Sequence, residues 1–195
     1  MLWAGRIPLT LFDVPQALGR KRKRLRNRKN KRLKGRSIED RPAIVDEGTE
    51  IGHWEADTVV GSRKGSGAAV FTAVEKVMHD YITICISGRT SAGIEEAIAH
   101  LKSEYGEARF SQVFKTITVD NGTEFETFTQ LESLGTKVYF AHPYRSWERP
   151  QNERHNGILR QYIPKGTSID VQENPHLERK IDTLFDGVKS RFSRK

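Results

Sequence analysis

Three acidic residues occupy positions where carboxylates are chemically useful. Asp57 lies in the middle of an alternating apolar segment, Asp120 ends a later apolar segment, and Glu153 lies near the start of a helical one. Aspartate is disfavoured inside strands, and sites in open α/β sheets gather where strands end. Each residue alone also has a structural explanation, as a solvent-facing side chain, a turn residue or a partner of the helix dipole. Together they predict two carboxylates on neighbouring strands and a third on a helix laid across them.

Carboxylates that lie together repel one another and raise one another's pKa unless a cation neutralises them. Hard divalent ions do this, and Mg²⁺ keeps open positions for water and phosphate. Two such ions ~3.5–4 Å apart activate an attacking oxygen and stabilise a leaving one in phosphoryl transfer. The sequence offers no rival chemistry, because its six His residues lack zinc-ligand spacing and it contains no phosphate-binding glycine loop and no nucleophile elbow.

The elements that must position these residues follow the order three strands, helix, strand, helix, strand, helix. In His53–Val60, Trp54 and Ala56 alternate with Glu55 and Asp57 on the opposite face. Three turn-linked strands form an antiparallel meander, and the later alternation adds crossover units. The order predicts an α/β, ribonuclease-H-like fold with a mixed five-stranded sheet and flanking helices. The predicted elements are strands at 53–60, 68–78, 81–87, 113–119 and 136–141, a helix capped by Ser91, a helix opened by a capping box at Thr123 and Glu126, and a last helix from Pro150 to Tyr162.

Positive charge is concentrated in one arm of the chain. Residues 20–36 contain 12 basic residues and no acid, whereas the remainder holds 21 basic against 25 acidic residues. Like charges at this density cannot bury a core, so we expect the arm to be extended and mobile unless it binds a polyanion. One cysteine, Cys85, excludes an intramolecular disulfide, and no apolar run approaches the ~18 residues of a membrane span.

Three stretches of the sequence resemble a known family. GHWEADTVVG at 52–61, TVDNGTEF at 118–125 and HPYRSWERPQNERHNGILRQYIPKG at 142–166 are similar, in this order, to the integrase-type catalytic core of bacterial insertion-sequence transposases. The similarity is to the branch grouped around insertion sequence thirty, and it extends from about Ser37, or from the basic arm, to about Ser168. It implies the retroviral integrase-type version of the ribonuclease-H-like fold.

The resemblance implies a DDE-type DNA transposase. Such an enzyme cleaves at the ends of a mobile element and joins the freed 3′-hydroxyls to target DNA with two Mg²⁺ ions, for which Mn²⁺ substitutes. Its catalytic and metal-binding residues carry over to Asp57, Asp120 and Glu153, with Glu148 as the alternative third carboxylate. The expected partners are double-stranded DNA (terminal repeats and target) and further copies of the chain. The expected location is the bacterial cytoplasm, at the nucleoid and without a membrane.

Several neighbouring residues are candidates for supporting roles. Asn121 and Asn156 would orient carboxylates or waters, although Asn121 is equally suited to a turn. Glu55 would tune the metals or form a surface ion pair. Tyr144 and Trp147 would stack on a splayed base, with packing under the helix as the alternative for Trp147. The candidate DNA-binding residues, of which the last three have a solvated helix face as their alternative, are Arg20, Lys21, Arg22, Lys23, Arg24, Arg26, Arg28, Lys29, Lys31, Arg32, Arg149, Arg160 and Lys165.

The two ends of the chain depart from the family pattern. The first nineteen residues contain no recognisable helix-turn-helix, and residues 174–195 do not match the stretch that ends the family's core. We therefore expect a copy truncated at both ends, divided into an upstream remnant at 1–19, a basic DNA-binding arm and linker at 20–48, the integrase-type catalytic core at 49–168 and a divergent tail at 169–195. The alternatives to an active transposase core are a ribonuclease-H-like nuclease and an inactive DNA-binding remnant.

Overall fold

A computed structural model describes residues 32–61, 67–143 and 145–169, apart from the side chain of Ser146. Its five strands are β1 His53–Val60, β2 Ala69–Glu75, β3 Tyr81–Ile86, β4 Thr116–Val119 and β5 Lys137–Phe140. They form one sheet in the order β3-β2-β1-β4-β5. β1, β2 and β3 pair antiparallel, whereas β4 runs parallel to β1 and β5 runs parallel to β4. This mixed sheet confirms the predicted ribonuclease-H-like fold.

Helices cover the sheet on both sides. The last helix begins at Pro150 and ends at Tyr162, as predicted, because proline suits the first turn and Pro164 follows shortly after the end. Within the described ranges, no helix has the length and apolar character needed to cross a membrane. The α-helices are α1 Ile44–Glu47, α2 Ser91–Tyr105, α3 Glu107–Val113 and α4 Pro150–Tyr162, and 3₁₀ segments occur at Ile38–Asp40, Thr123–Leu134 and Ser146–Glu148.

The two faces of the sheet have separate apolar cores. The larger core packs α2, α3 and the 123–134 segment against the face that carries Trp54 and Ala56. The smaller core packs Leu159 of α4 against Val59 and Val70 on the opposite face. The predicted alternation of β1 is therefore confirmed, and its odd-numbered residues, which include Glu55 and Asp57, face α4.

Three local predictions are wrong in detail. The cap of α2 is Thr90, whose hydroxyl accepts the N–H of Gly93 at 3.2 Å, and not Ser91. The fourth strand begins at Thr116, because the residues before it form the short helix α3. The capping box at Thr123 does not form: the segment is a 3₁₀ helix whose first residue follows Gly122 without a side-chain cap.

The end of the basic arm is bound to the core. Phe140 of β5 donates its N–H to the carbonyl of Arg36 at 2.8 Å, and Ser37 forms a parallel bridge with Phe140. Leu33 packs against the larger core. Our expectation of a mobile arm is therefore wrong for residues 32–36, because the edge strand β5 supplies backbone partners for them. Residues 1–31 and 170–195, with the remnant, most of the arm and most of the tail, lie outside the described residues, and the domain boundaries stay predictions.

Candidate active site

Asp57 and Asp120 lie on neighbouring strands at the centre of the sheet. β1 and β4 pair in parallel, with His53 opposite Thr116 and Glu55 opposite Thr118. The same register, continued by two residues, puts Asp57 opposite Asp120, and adjacent strands lie about 4.8 Å apart. Their side chains are 26% and 27% exposed, so both carboxylates reach solvent at the end of β4.

Asp57 is held by one backbone group and one arginine. Its Oδ1 accepts the N–H of Thr58 at 2.8 Å, and its Oδ2 lies 3.4 Å from Nη1 of Arg149. Burial raises the pKa of Asp57, the Arg149 guanidinium opposes that shift, and the charge of Asp120 adds to it. The charge of Asp120 therefore disfavours ionisation of Asp57, as expected for neighbouring carboxylates.

Asp120 is held in the same manner by a different arginine. Its Oδ1 accepts the N–H of Gly122 at 2.8 Å, and its Oδ2 lies 3.5 Å from Nη2 of Arg89. Arg89 also donates from Nε to Glu124. A Cβ at Gly122 would lie 2.7 Å from Asp120 Oδ1, so a larger residue at this position would displace the Asp120 carboxylate.

Glu153 lines the same cleft as Asp57. The cleft measures about 320 Å³, and its wall includes Asp57, Glu153 and Arg160 but not Asp120. Glu153 is exposed, and no hydrogen bond or ion pair joins its carboxylate to another described residue. Its side chain is therefore available to an incoming ligand.

Glu148, the alternative third carboxylate, is used inside the loop before α4. Its Oε2 accepts the N–H of His142 at 2.8 Å, and its Oε1 lies 3.0 Å from the His142 ring and 3.3 Å from Arg145. Burial alone would raise the pKa of Glu148, but the hydrogen bonds from His142 and Arg145 outweigh it and lower the pKa. Glu148 is absent from the wall of the Asp57 cleft, so its geometry favours a structural role.

A buried chain of hydrogen bonds fixes the helix that carries Glu153. Glu55 Oε2 accepts the N–H of Asn152 at 2.9 Å, and Asn152 Nδ2 donates to the carbonyl of Glu55 at 3.1 Å. Asn156 donates to Asn152 Oδ1 at 2.6 Å and accepts from the hydroxyl of Tyr81 at 2.9 Å. These contacts connect β3, α4 and β1, and they hold the residue that immediately precedes Glu153.

Glu55 is fully buried, at 0% exposure, and does not form the surface ion pair that we considered. Its Oε1 has no hydrogen-bond partner among the described residues. Burial raises the pKa of Glu55, although the Asn152 amide and nearby cations oppose the shift. An ionised Glu55 therefore lowers the stability of the folded state. Its structural contribution is to hold the start of α4 through the Asn152 amide.

Glu55→Gln is expected to raise the free energy of unfolding at neutral pH by about 1 kcal/mol, because the neutral amide keeps the Asn152 bond and avoids burying a charge. The folded-state pKa of Glu55 is raised, so its penalty is absent below the ordinary value of 4.5 and appears as the pH rises through the raised pKa. Urea denaturation between pH 4 and 8 measures this difference. A variant that is less stable than wild type at every pH would contradict the assignment.

The other predicted site residues have varied surroundings. Arg149 is 8% exposed and donates from Nη1 to the carbonyl of Ala56 at 2.9 Å, so it does not lie on a solvated helix face. It lines the Asp57 cleft, and its contact with DNA stays a prediction. Lys165 is exposed. Trp147 is 67% exposed, so it does not pack under the helix, whereas Tyr144 lies outside the described residues.

Arg160 retains the environment expected of a phosphate contact. It lines the Asp57 cleft, and its buried Nη1 has no hydrogen-bond partner among the described residues. Burial lowers its pKa, while the negative charge of Asp57 opposes that shift. A guanidinium without a partner beside an acidic cleft suits an anionic oxygen of a ligand.

The donor chemistry of the site fits a hard divalent cation, but the structure does not bring all three carboxylates into one cluster. Carboxylate oxygens are the preferred ligands of Mg²⁺, which is often held by only one or two of them. Among the described residues, no group of three or more His, Cys, Asp or Glu side chains is close enough to hold a metal ion. Asp57 and Asp120 are neighbours on the sheet, and Glu153 lines the cleft beside Asp57.

Arg89 is a site residue that sequence reasoning missed. It follows β3 in the turn before α2 and pairs with both Asp120 and Glu124. Its sequence neighbours carry no spacing signal, because the contact joins residues more than thirty positions apart. The packing of α2 against the 123–134 segment, which follows Asp120, brings the guanidinium to Asp120.

Comparison with known proteins identifies relatives, although no family model matches the chain. The chain is 32% identical over 165 residues to the probable transposase for insertion-like sequence element IS1161 of Streptococcus salivarius, covering 85% of this chain and 46% of the relative. It is 30% identical over 138 residues to transposase InsI for insertion sequence element IS30A of Escherichia coli K12, covering 70% and 34%. The chain is a homologue of insertion-sequence transposases.

This transposase homologue spans less than half the length of the curated relatives it matches. Among solved structures, it is similar to the HTLV-2 integrase catalytic core domain in complex with magnesium, with a TM-score of 0.46 and 20% identity over 68% of this chain and 81% of that chain. The strand order and strand directions of this chain are themselves those of a ribonuclease-H-like sheet.

Proposed function

We propose that this chain is the catalytic core of a DDE-type DNA transposase, which cleaves double-stranded DNA at the ends of a mobile element and joins the freed 3′-hydroxyls to target DNA. The observation that carries the proposal is the parallel β1–β4 register, which makes Asp57 and Asp120 neighbours beside the cleft that Glu153 lines. Homology to insertion-sequence transposases supports the same reaction. Such reactions need two DNA ends, so we expect more than one copy of the chain to act together.

In this proposal Asp57, Asp120 and Glu153 hold two Mg²⁺ ions, for which Mn²⁺ substitutes. When bound, the ions supply activation of an attacking water or 3′-hydroxyl and charge stabilisation of the departing oxygen. Direct displacement needs no covalent bond between protein and DNA, so no Ser or Tyr nucleophile is assigned.

The other side chains of the site position the carboxylates and the DNA. Arg149 is tethered to the backbone of Ala56 and holds Asp57, while Arg89 holds Asp120. Arg160 offers an unpartnered guanidinium to a phosphate in the cleft. These cations also offset the repulsion between the aspartates, so the two carboxylates can lie close together before DNA binds.

The proposal is tested with a DNA donor that carries a free 3′-hydroxyl and a supercoiled plasmid as target. We expect joined products in Mg²⁺ or Mn²⁺ and none in EDTA, because the carboxylates need a divalent ion to promote displacement. Gel electrophoresis of labelled donor separates joined from unjoined DNA.

Each other outcome favours a different class of protein. Metal-dependent cutting of DNA or RNA–DNA hybrids without joining would indicate a ribonuclease-H-like nuclease. DNA binding without cutting, together with no heat of Mn²⁺ binding in calorimetry, would indicate an inactive DNA-binding remnant. Either result would overturn the transposase assignment.

A further inference from the structure

We propose that Asn121 is a positioning residue that fastens the basic arm to the core beside Asp120, so that DNA held by the arm lies in a fixed register with the carboxylates. This inference rests on the proposed function, because it concerns how the same site receives duplex DNA. Asn121 is 8% exposed, and both the oxygen and the nitrogen of its side-chain amide bind the arm. Its Oδ1 accepts the N–H of Lys34 at 3.0 Å, and its Nδ2 donates to the carbonyl of Arg32 at 3.1 Å.

The Asn121 amide satisfies two backbone groups of the arm at once. A carboxamide is both a donor and an acceptor, so it can bind the carbonyl of Arg32 and the N–H of Lys34, two residues later in the chain. The partners lie 87 and 89 residues away in sequence. Release of the arm would exchange both bonds for bonds to water, and the clamp favours the bound arm because an intramolecular hydrogen bond is on balance stabilising.

Further contacts hold the arm on the far side of the clamp. Gly35 lies against the ring of Phe140 so closely that a Cβ would be 2.5 Å from a ring carbon. Lys34 pairs with Glu126 at 2.5 Å, and Arg36 pairs with Glu132 at 3.3 Å. The clamp therefore divides the cations of the arm into two groups.

Lys34 and Arg36 neutralise acids of the 123–134 segment, and their charges serve the attachment of the arm. Arg32 is exposed and continues directly into the basic residues 20–31 of the sequence. Among the described cations of the arm, Arg32 is therefore the one that no acid of the core neutralises, and a DNA phosphate is a sequence-independent partner for it.

The clamp and a catalytic carboxylate belong to one turn. Asn121 directly follows Asp120, and Asp120 Oδ1 bonds the next amide, that of Gly122. A cationic arm that is not attached would bind DNA without fixing its position relative to the carboxylates. An arm fixed at this turn restricts where bound DNA meets them. Such restriction is how enzymes lower the entropic cost of reaching a reactive geometry.

Two variants release the arm from different places. Asn121→Ala removes both bonds of the clamp, and Gly35→Val forces the arm off Phe140 without changing the Asp120 turn. Gln130→Ala is the matched control, because it truncates an exposed amide on the 123–134 segment that has no part in the clamp. Hydrogen exchange of the Lys34 and Phe140 amides should increase at least about tenfold in both variants, while amides of β1 keep wild-type protection and so report an intact fold.

The register of DNA is read by photocrosslinking and not by activity. A benzoylphenylalanine replaces Gly157, which lines the cleft and where an added Cβ meets no atom within 4 Å. In Mg²⁺-free buffer with a labelled duplex at saturating concentration, we expect the crosslinking yield to fall about fivefold or more in Asn121→Ala and Gly35→Val, with DNA affinity changed less than about threefold since the cations remain.

The inference and the proposed function fail separately. Wild-type crosslinking yield in both variants, with amide exchange showing a released arm, would overturn the positioning role even if the wild-type chain joins DNA. Loss of crosslinking in only one of the two variants would also overturn it, because both must release the same arm. A wild-type chain that crosslinks DNA through position 157 but never cuts it would overturn the transposase assignment and leave the clamp intact.

Discussion

Asp120→Asn is expected to lower the rate of metal-dependent DNA cleavage by about a thousandfold or more, equivalent to about 4 kcal/mol of transition-state stabilisation. A neutral amide would bind a divalent ion more weakly than the Asp120 carboxylate would. The turn should survive, because Asn keeps the Oδ1 that accepts the N–H of Gly122, and Arg89 keeps its second partner Glu124. Rates of plasmid nicking in Mg²⁺, measured beside DNA affinity in EDTA, check this expectation.

Asp40→Asn is the matched control for this experiment. Asp40 is exposed in the Ile38–Asp40 turn, and the same chemical change there should leave nicking and DNA affinity unaltered. Nicking by Asp120→Asn at the wild-type rate would show that Asp120 is not a ligand of the catalytic ions. Loss of DNA affinity together with activity would point to damage of the fold.

Glu153→Gln and Glu148→Gln are expected to have opposite phenotypes. Glu153 is exposed and makes no contact with another described residue through its carboxylate, so its replacement should change stability by less than about 0.5 kcal/mol. The same replacement should lower DNA cleavage about a hundredfold or more, because it removes a ligand charge from the site.

Glu148→Gln should instead destabilise the fold by about 1–2 kcal/mol, because it weakens charge-assisted bonds to His142 and Arg145, and should keep cleavage within about tenfold of wild type. The lowered pKa of Glu148 means that its contribution is present above the ordinary value of 4.5 and is lost as the pH falls through the lowered pKa. Denaturation at pH 7 and pH 4, beside nicking assays, separates the two glutamates. The reverse pattern would assign the third carboxylate to Glu148.

The stability of the site depends on pH in two opposite directions. Glu55 has a raised pKa and destabilises the fold when it ionises, whereas Glu148 has a lowered pKa and stabilises it. Both carboxylates hold backbone groups around α4, one at Asn152 and the other at His142. The position of Glu153 therefore depends on two glutamates that do not themselves line the cleft.

Local patterns in the sequence were sufficient for most elements. The alternation of β1 and the bounds of α4 were predicted correctly, because period-two burial and a proline at the helix start are properties of neighbouring residues. The capping box at Thr123 failed because the same local signal competes with the packing of Phe125, Phe128 and Leu131 into the larger core. Tertiary contacts decided that segment.

The fold class, the candidate carboxylates and the separation of the basic arm from the acidic remainder could all be predicted from the sequence alone, since composition, periodicity and motifs are visible along one chain. The burial of Glu55 beneath α4, the pairing of Arg89 and Arg149 with the aspartates, and the binding of the arm by Asn121 became known only from the three-dimensional arrangement. The physical reason is separation in sequence: apart from Arg89 and Asp120, these partners lie between 87 and 97 residues apart, and only sheet register and helix packing bring them into contact.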